Sequence, residues 1–243
     1  AAAHATGDVV TVVATSVVSL LSTTVTGNSA FLNGGGIFNN DTVNVTLSLV
    51  SGNVAGVRGG GLYNTGTATL DRATFESNVA EVRGGEIFNE GTTLSSPSTV
   101  AVNASTLSNN VSGARGGAIF NSQILTLTNS TVSGNTAGGE GAAIFNTGPD
   151  SVSSGTTTIV NSTIVANSTD LSAGGIFNDS GSTVLLTNSI VAGNTAQSSN
   201  NDVQGVFSSI RSNFVGDAGD TTGLINGENG NLVGTTLSPI DPV

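Results

Sequence analysis

The sequence predicts an all-β fold: a right-handed, three-sided parallel β-helix of about eight to nine coils, mostly of 25 residues each. Three observations predict it. The composition is poor in helix formers, one six-residue block recurs six times, and a second block precedes each copy at a constant distance.

Among 243 residues there are 34 Gly and 27 Asn, no Lys, Met or Cys, and only 9% charged residues. Val, Thr and Ile beside Gly and Asn favour short strands joined by tight turns over helices. Without cysteine there is no disulfide framework and no thiolate metal or redox site. A net charge of −11 carried against five Arg argues against nucleic acid or an anionic membrane surface as partner. The longest apolar stretch, residues 9–21, is interrupted by Thr11, Thr15, Ser16 and Ser19 and reads as strands, not as a membrane span. The opening Ala1-Ala2-Ala3 suits a mature secreted chain, and a location outside the cell or on its surface is the expectation.

The recurrent block has the form Gly-Gly-x-Ile-Phe-Asn and ends at Asn39, Asn64, Asn89, Asn121, Asn146 and Asn178. The second block, apolar-x-x-Asn, begins at Val25, Val50, Phe75, Leu107, Val132, Ile164 and Val191. From the Asn of this block to the Asn closing the next Gly-Gly block is always 11 residues, whereas the return takes 14, 14, 21, 14, 21 and 16. A stack of coils needs this: each coil must re-enter register with its neighbour, while a loop can project sideways without disturbing the stack. The seven-residue insertions fall around residues 95–97 and 150–155. With coils about 4.8 Å apart the body is about 40 Å long. One solenoid domain accounts for the whole chain: residues 1–33 form an N-terminal tail and first coil, 34–196 the regular repeats and 197–243 the closing coils.

Registers assign the columns. Ile37, Leu62, Ile87, Ile119, Ile144 and Ile176 point inward and form the core with the apolar residues that begin the second block. Asn28, Asn53, Asn78, Asn110, Asn135, Asn167 and Asn194 make a structural ladder whose amides bond from coil to coil. Gly35, Gly60, Gly85, Gly117 and Gly174 mark a crowded corner; Ala142 on the fifth rung indicates tight packing there instead of a required positive φ. Beside the inward Ile stands an aromatic column, Phe38, Tyr63, Phe88, Phe120, Phe145 and Phe177. Alternation sends these rings outward as an interaction stripe facing a loop, a second protomer or a ligand; a corner would instead turn them inward to stack.

Gly116-Gly117-Ala118-Ile119 and Phe75-Glu76-Ser77-Asn78 match the G-G-A-I and F-x-x-N repeats, and the chain resembles the polymorphic outer-membrane proteins and related autotransporter-type surface proteins. The stretch Asn129-Ser130-Thr131-Val132-Ser133-Gly134-Asn135-Thr136-Ala137 is also similar to right-handed β-helix proteins of bacterial surfaces that carry C-terminal anchors. So is the closing stretch 208–242. The resemblance spans about residues 23–240 and implies secretion and a structural or adhesive role, without specifying a ligand.

Catalysis by a β-helix glycosidase would need two carboxylates about 5–10 Å apart across a groove. Asp71, Glu76, Glu81, Glu86 and Glu90 gather on the second and third coils but match no such arrangement and read as a solvated acidic face; the lone His4 lies in the tail. Arg58, Arg83 and Arg115 share one column that continues to Glu140, and stacked guanidiniums are a contact for an anion or an acidic glycan. Neutralisation of these arginines by Glu81, Glu86 and Glu140 in a surface ladder is the plainer expectation. Asp217-Ala218-Gly219-Asp220 and Asn226-Gly227-Glu228-Asn229 offer oxygens in turns but match no calcium loop, so no metal and no cofactor is expected. Threonine pairs such as Thr67/Thr69 and Thr126/Thr128 suggest an ice-binding array, but they do not recur on successive coils.

Neither end shows a capping helix, and open strand edges invite stacking. The expected function is therefore a secreted, non-enzymatic structural protein that polymerises head to tail with itself, with the tail at residues 1–7 available for strand exchange. The alternative is a monomeric surface adhesin for glycans or proteins, and a polysaccharide-active enzyme is more distant.

Overall fold

The computed structural model describes residues 4–5, 10–12, 16–91, 97–148, 155–198 and 201–241. Most of the two insertions and of residues 1–7 lies outside them. The chain is a parallel β-helix, and each regular coil contributes one strand to each of four sheets. The second coil shows the order: Leu49–Ser51 lies in sheet 1, Val54–Ala55 in sheet 2, Leu62–Asn64 in sheet 3 and Thr67–Asp71 in sheet 4. Among the described residues the sheets hold ten, seven, eight and eight strands, stacked strictly in sequence order. Every strand pair among the described residues is parallel, and equivalent residues face each other: Leu62 lies between Ile37 and Ile87, and Phe75 between Val50 and Leu107. The tail joins this pattern, since His4–Ala5 pairs with Thr24–Thr26 of its own chain.

Sheets 1, 3 and 4 wall the core. Both apolar columns read from the repeats are fully enclosed, from Val25 to Val191 and from Ile37 to Ile176. Sheet 4 adds two columns that the repeated blocks do not announce: Val43, Ala68, Val100 and Leu125 run along one, and Val45, Leu70, Val102, Leu127, Ile159 and Leu186 along the other. They follow from plain alternation along five-residue strands such as Thr42–Thr46 and Ile124–Thr128. Sheet 2 has strands of two residues and presents small buried side chains, Ala55, Ala80 and Ala137, that are not part of the main core.

The asparagine column is the expected ladder. Each Nδ2 donates to the Oδ1 of the next coil at 2.8–3.1 Å, from Asn28 through Asn194. The same Oδ1 accepts the backbone N–H of the preceding Asn at 2.9–3.1 Å. The ladder ends on Asp202, whose Oδ1 takes both donors of Asn194 while its Oδ2 accepts the Asp217 N–H. A second ladder runs through Asn39, Asn64, Asn89, Asn121, Asn146 and Asn178, with Nδ2–Oδ1 distances of 2.6–2.8 Å. A third uses hydroxyls, in which Ser105, Ser130, Ser162 and Ser189 each accept the backbone N–H of the preceding rung. Buried polar groups at three corners are thus paired with their own copies.

The glycine corner is crowded, as expected. At Gly85 a Cβ would lie 2.3 Å from the Gly117 carbonyl oxygen and 2.4 Å from that of Val111. The left-handed backbone belongs to the residue before it, Gly84 at φ 62°.

The C-terminal end differs from the open edge expected from sequence. Phe207 and Ser212 donate their N–H groups to the carbonyls of Thr222 and Asn229, and Ala218, Leu224 and Val233 close the core. Irregular chain with left-handed residues at Gly219, Gly223, Gly227 and Gly230 covers sheets 3 and 4 there, because those turns pay no Cβ penalty.

Replacing Asn135 by Ala strips acceptors from the Asn110 N–H and Nδ2 and a donor from Asn167. It should destabilise the fold by on the order of 3 kcal/mol or more. Asn44→Ala, on the outer face of the strand Thr42–Thr46, should cost little, and a denaturant melt of both variants checks the contrast.

Candidate interaction face

Sheet 3 carries the aromatic column outside the main core, as alternation requires, but the rings are not an open stripe. Consecutive rings stack with centroids 4.7–5.6 Å apart and planes within 3–21° of parallel. Tyr63, Phe88, Phe120 and Phe145 are buried and form their own apolar cluster; Phe38 and Phe177 at its ends are half-buried. The rings thus stand outside the core as alternation sends them, yet stack on one another, and the arginines cover them.

Arg58, Arg83 and Arg115 are bridged backbone to backbone in one column, as the spacing predicts. Each guanidinium reaches across to the ring of the next coil: Arg58 over Phe88 at 4.9 Å, Arg83 over Phe120 at 5.2 Å and Arg115 over Phe145 at 4.8 Å. The aromatic and arginine columns are one composite face, with cations laid on π surfaces and their stems shielding the rings.

The carboxylates are distributed differently from expectation. Glu90 serves Arg58 at 3.0 Å and also accepts the Tyr63 hydroxyl at 3.2 Å. Burial, and then the Glu90 charge, push that phenol above its usual range. Glu140 holds Arg115 at 2.7 Å, as its place in the column suggests. Glu81 is exposed and pairs with none of the three arginines, and Arg83 has no carboxylate partner among the described residues. Its Nε is buried without a hydrogen-bond partner there. Burial, followed by the charges of Arg115 and Arg58, lowers the Arg83 pKa.

Glu86 is not part of a solvated acidic face. It occupies the variable position of the Gly-Gly block, which holds Gly36, Gly61, Ala118, Ala143 and Gly175 on the other coils, and it is fully enclosed. Asn110 Nδ2 donates to its Oε2 at 2.7 Å, while Oε1 has no partner among the described residues. Burial alone raises its pKa well above the carboxylate range. The signal in the sequence was a column that otherwise tolerates only Gly or Ala. Asp202 is also held up, to about 6, by burial.

Of the turn oxygens considered for calcium, those of Asp217 and Asn226 hold the turns, Asn226 Oδ1 by accepting the Val233 N–H at 3.1 Å. Asp217 accepts from Gly219 N, Thr236 Oγ1 and Asn201 Nδ2, all at 3.0 Å. Threonine does recur singly, as in the column Thr74, Thr106, Thr131 and Thr163, but the Thr67/Thr69 pair faces Thr99 and Ala101 on the next coil. Compared with protein-family models, curated proteins and solved structures, the chain matches none.

A carboxyl whose pKa is raised by folding favours the protonated folded state, so its stabilising contribution is complete below its unfolded pKa and is lost as pH rises. Glu86 and Asp202 both have this sign. Melting temperature should therefore rise as pH falls from neutral, with the Asp202 contribution gained between its raised value of about 6 and its ordinary value of 3.8. Glu86→Gln, which keeps an acceptor for Asn110, should melt higher than the parent at neutral pH and converge with it at the acid end.

Proposed function

We propose that the protein is a non-enzymatic structural element of the cell exterior that assembles end to end, using the coil stack as a rod. The observation that carries this reading is where apolar surface lies. The most exposed large hydrophobic residues are Val17, Leu21, Phe31 and Leu32 near one end and Val206, Ile225, Leu232 and Leu237 near the other. Phe31 is 91% and Leu237 98% exposed, whereas between the two groups no described large hydrophobic exceeds the 51% of Leu47. Beside Phe31 lies a cavity of about 330 Å³ lined by Ala30, Leu32, Val54 and Val57. Burying one such side chain contributes about 1.5–3 kcal/mol.

Because the C-terminal coil is closed by irregular chain, the joint is side-chain packing of the Leu237 end against the Phe31 corner, not a continuation of all four sheets. Two different surfaces in contact make a heterologous joint, which propagates into an open chain. The composition and the likeness of the repeats to surface proteins support the extracellular setting. The three ladders support a structural role, since the most repeated polar groups are consumed by the stack itself. One observation favours a second reading, a surface adhesin: Arg83 on the composite face has no carboxylate partner among the described residues.

Electron microscopy with light scattering on the purified protein should show filaments a few nanometres wide, set by one coil's cross-section. Phe31→Asp and Leu237→Asp should each shorten them without lowering the melting temperature. Uniform particles of monomer mass would remove the assembly reading.

A further inference from the structure

Among the described residues the arginine column contains one charge that no carboxylate pairs. Three guanidiniums face two carboxylates, Glu90 and Glu140, and each carboxylate is engaged by a different outer arginine. The middle one, Arg83, is fixed on the Phe120 ring with its Nε unsatisfied among the described residues. This local excess of positive charge stands out in a chain with a net charge of −11. Arg83 opens on a cavity of about 150 Å³ whose lining includes Arg115, Phe120, Ser122 and Thr147, with Glu90 as its one acidic member.

We propose that Arg83, with Arg58 and Arg115 on the adjoining coils, forms a subsite for the carboxylate of an acidic sugar unit in a polysaccharide. A planar guanidinium fork matches a carboxylate, and the aromatic ring beneath fixes the fork before the ligand arrives. The remaining lining suits a sugar ring, whose apolar C–H face can meet the ring edges of Phe88, Phe120 and Phe145 and whose hydroxyls can donate to Thr147 Oγ1, which itself donates to Asp179. The arginines repeat along the solenoid axis, as acidic units repeat along a polysaccharide, whereas a single acidic side chain of a protein would use none of this. Glu90 opposes the ligand's charge and limits its affinity. The subsite rests on the arginine column alone and holds whether or not copies join end to end.

The test is calorimetric titration of the full chain with oligogalacturonate at low salt, beside the fully methyl-esterified oligomer and polyglutamate at equal carboxylate concentration. The free oligogalacturonate should bind and the ester should not, and added salt should weaken binding by screening. Arg83→Gln should weaken it about tenfold or more, the loss expected for a charge-assisted contact. Arg72→Gln, on a different corner and paired with Asp71, should leave it unchanged. Glu90→Gln should tighten it, and this gain stands as the test should Arg83→Gln melt below the parent. No binding by the parent, equal binding of the ester, or unaltered affinity in both Arg83→Gln and Glu90→Gln would overturn the subsite. Polyglutamate binding as tightly as oligogalacturonate would overturn the saccharide assignment in favour of an acidic protein partner.

Discussion

The bond from one asparagine amide to the next is the constraint on which this molecule depends. A parallel coil leaves backbone donors at each corner facing inward, where water does not reach and no strand partner lies in line. An amide suits that place because it accepts at Oδ1 and donates at Nδ2 in one plane. Asn53 thus accepts from Asn28 twice and donates to both Asn78 and the Val25 carbonyl. Once that spacing is fixed, the rest of the coil follows at the same repeat. Ile stacks on Ile, rings stack on rings, and the glycine corner closes until no Cβ fits. The arc between the Asn28 and Asn39 ladders holds 11 residues on every coil, while the arc returning to the first ladder absorbs the insertions.

The composite face shows how a structural solution becomes a surface property. Outward rings on sheet 3 would expose a hydrophobic band, and the chain covers them with arginine stems drawn from the neighbouring coil. Covering with a cation brings a charge that must be balanced, and Glu90 and Glu140 balance two of three. Exposed pairs of this kind add only about 0–1 kcal/mol each, so their weight lies in where they direct the charge.

Much of this was legible in the sequence. The two repeated blocks at constant distance gave the solenoid, its register, two of its core columns and the first ladder. The second ladder was equally present in the text: Asn39 stands two residues beyond inward Ile37, so alternation alone turns it inward. Sheet 4's core is hidden in the sequence because its residues vary between Val, Ala, Leu, Ile and Thr, and a motif made of identities hides a column made of a property. Arg58, Arg83 and Arg115 were recognisable as a column, but their carboxylate partners were not. Spacing sets backbone register, whereas a long side chain chooses among coils: Arg58 reaches Glu90, 32 residues away. Glu86 was misplaced because a lone acidic residue ordinarily faces water.

Glu86 also bears on how such a chain finds its native pairing. In a stack of near-identical rungs, a conformer that loops out one coil and joins its neighbours loses little, since Ile still meets Ile and Asn still meets Asn. The energy gap that singles out one topology must come from whatever breaks the translational symmetry. The enclosed carboxyl that meets Asn110, the tyrosine hydroxyl that meets Glu90 and the single Arg115–Glu140 pair each occur once, and each would be orphaned by a skipped coil. In that light a costly buried acid acts as an address, trading stability for the uniqueness of the fold.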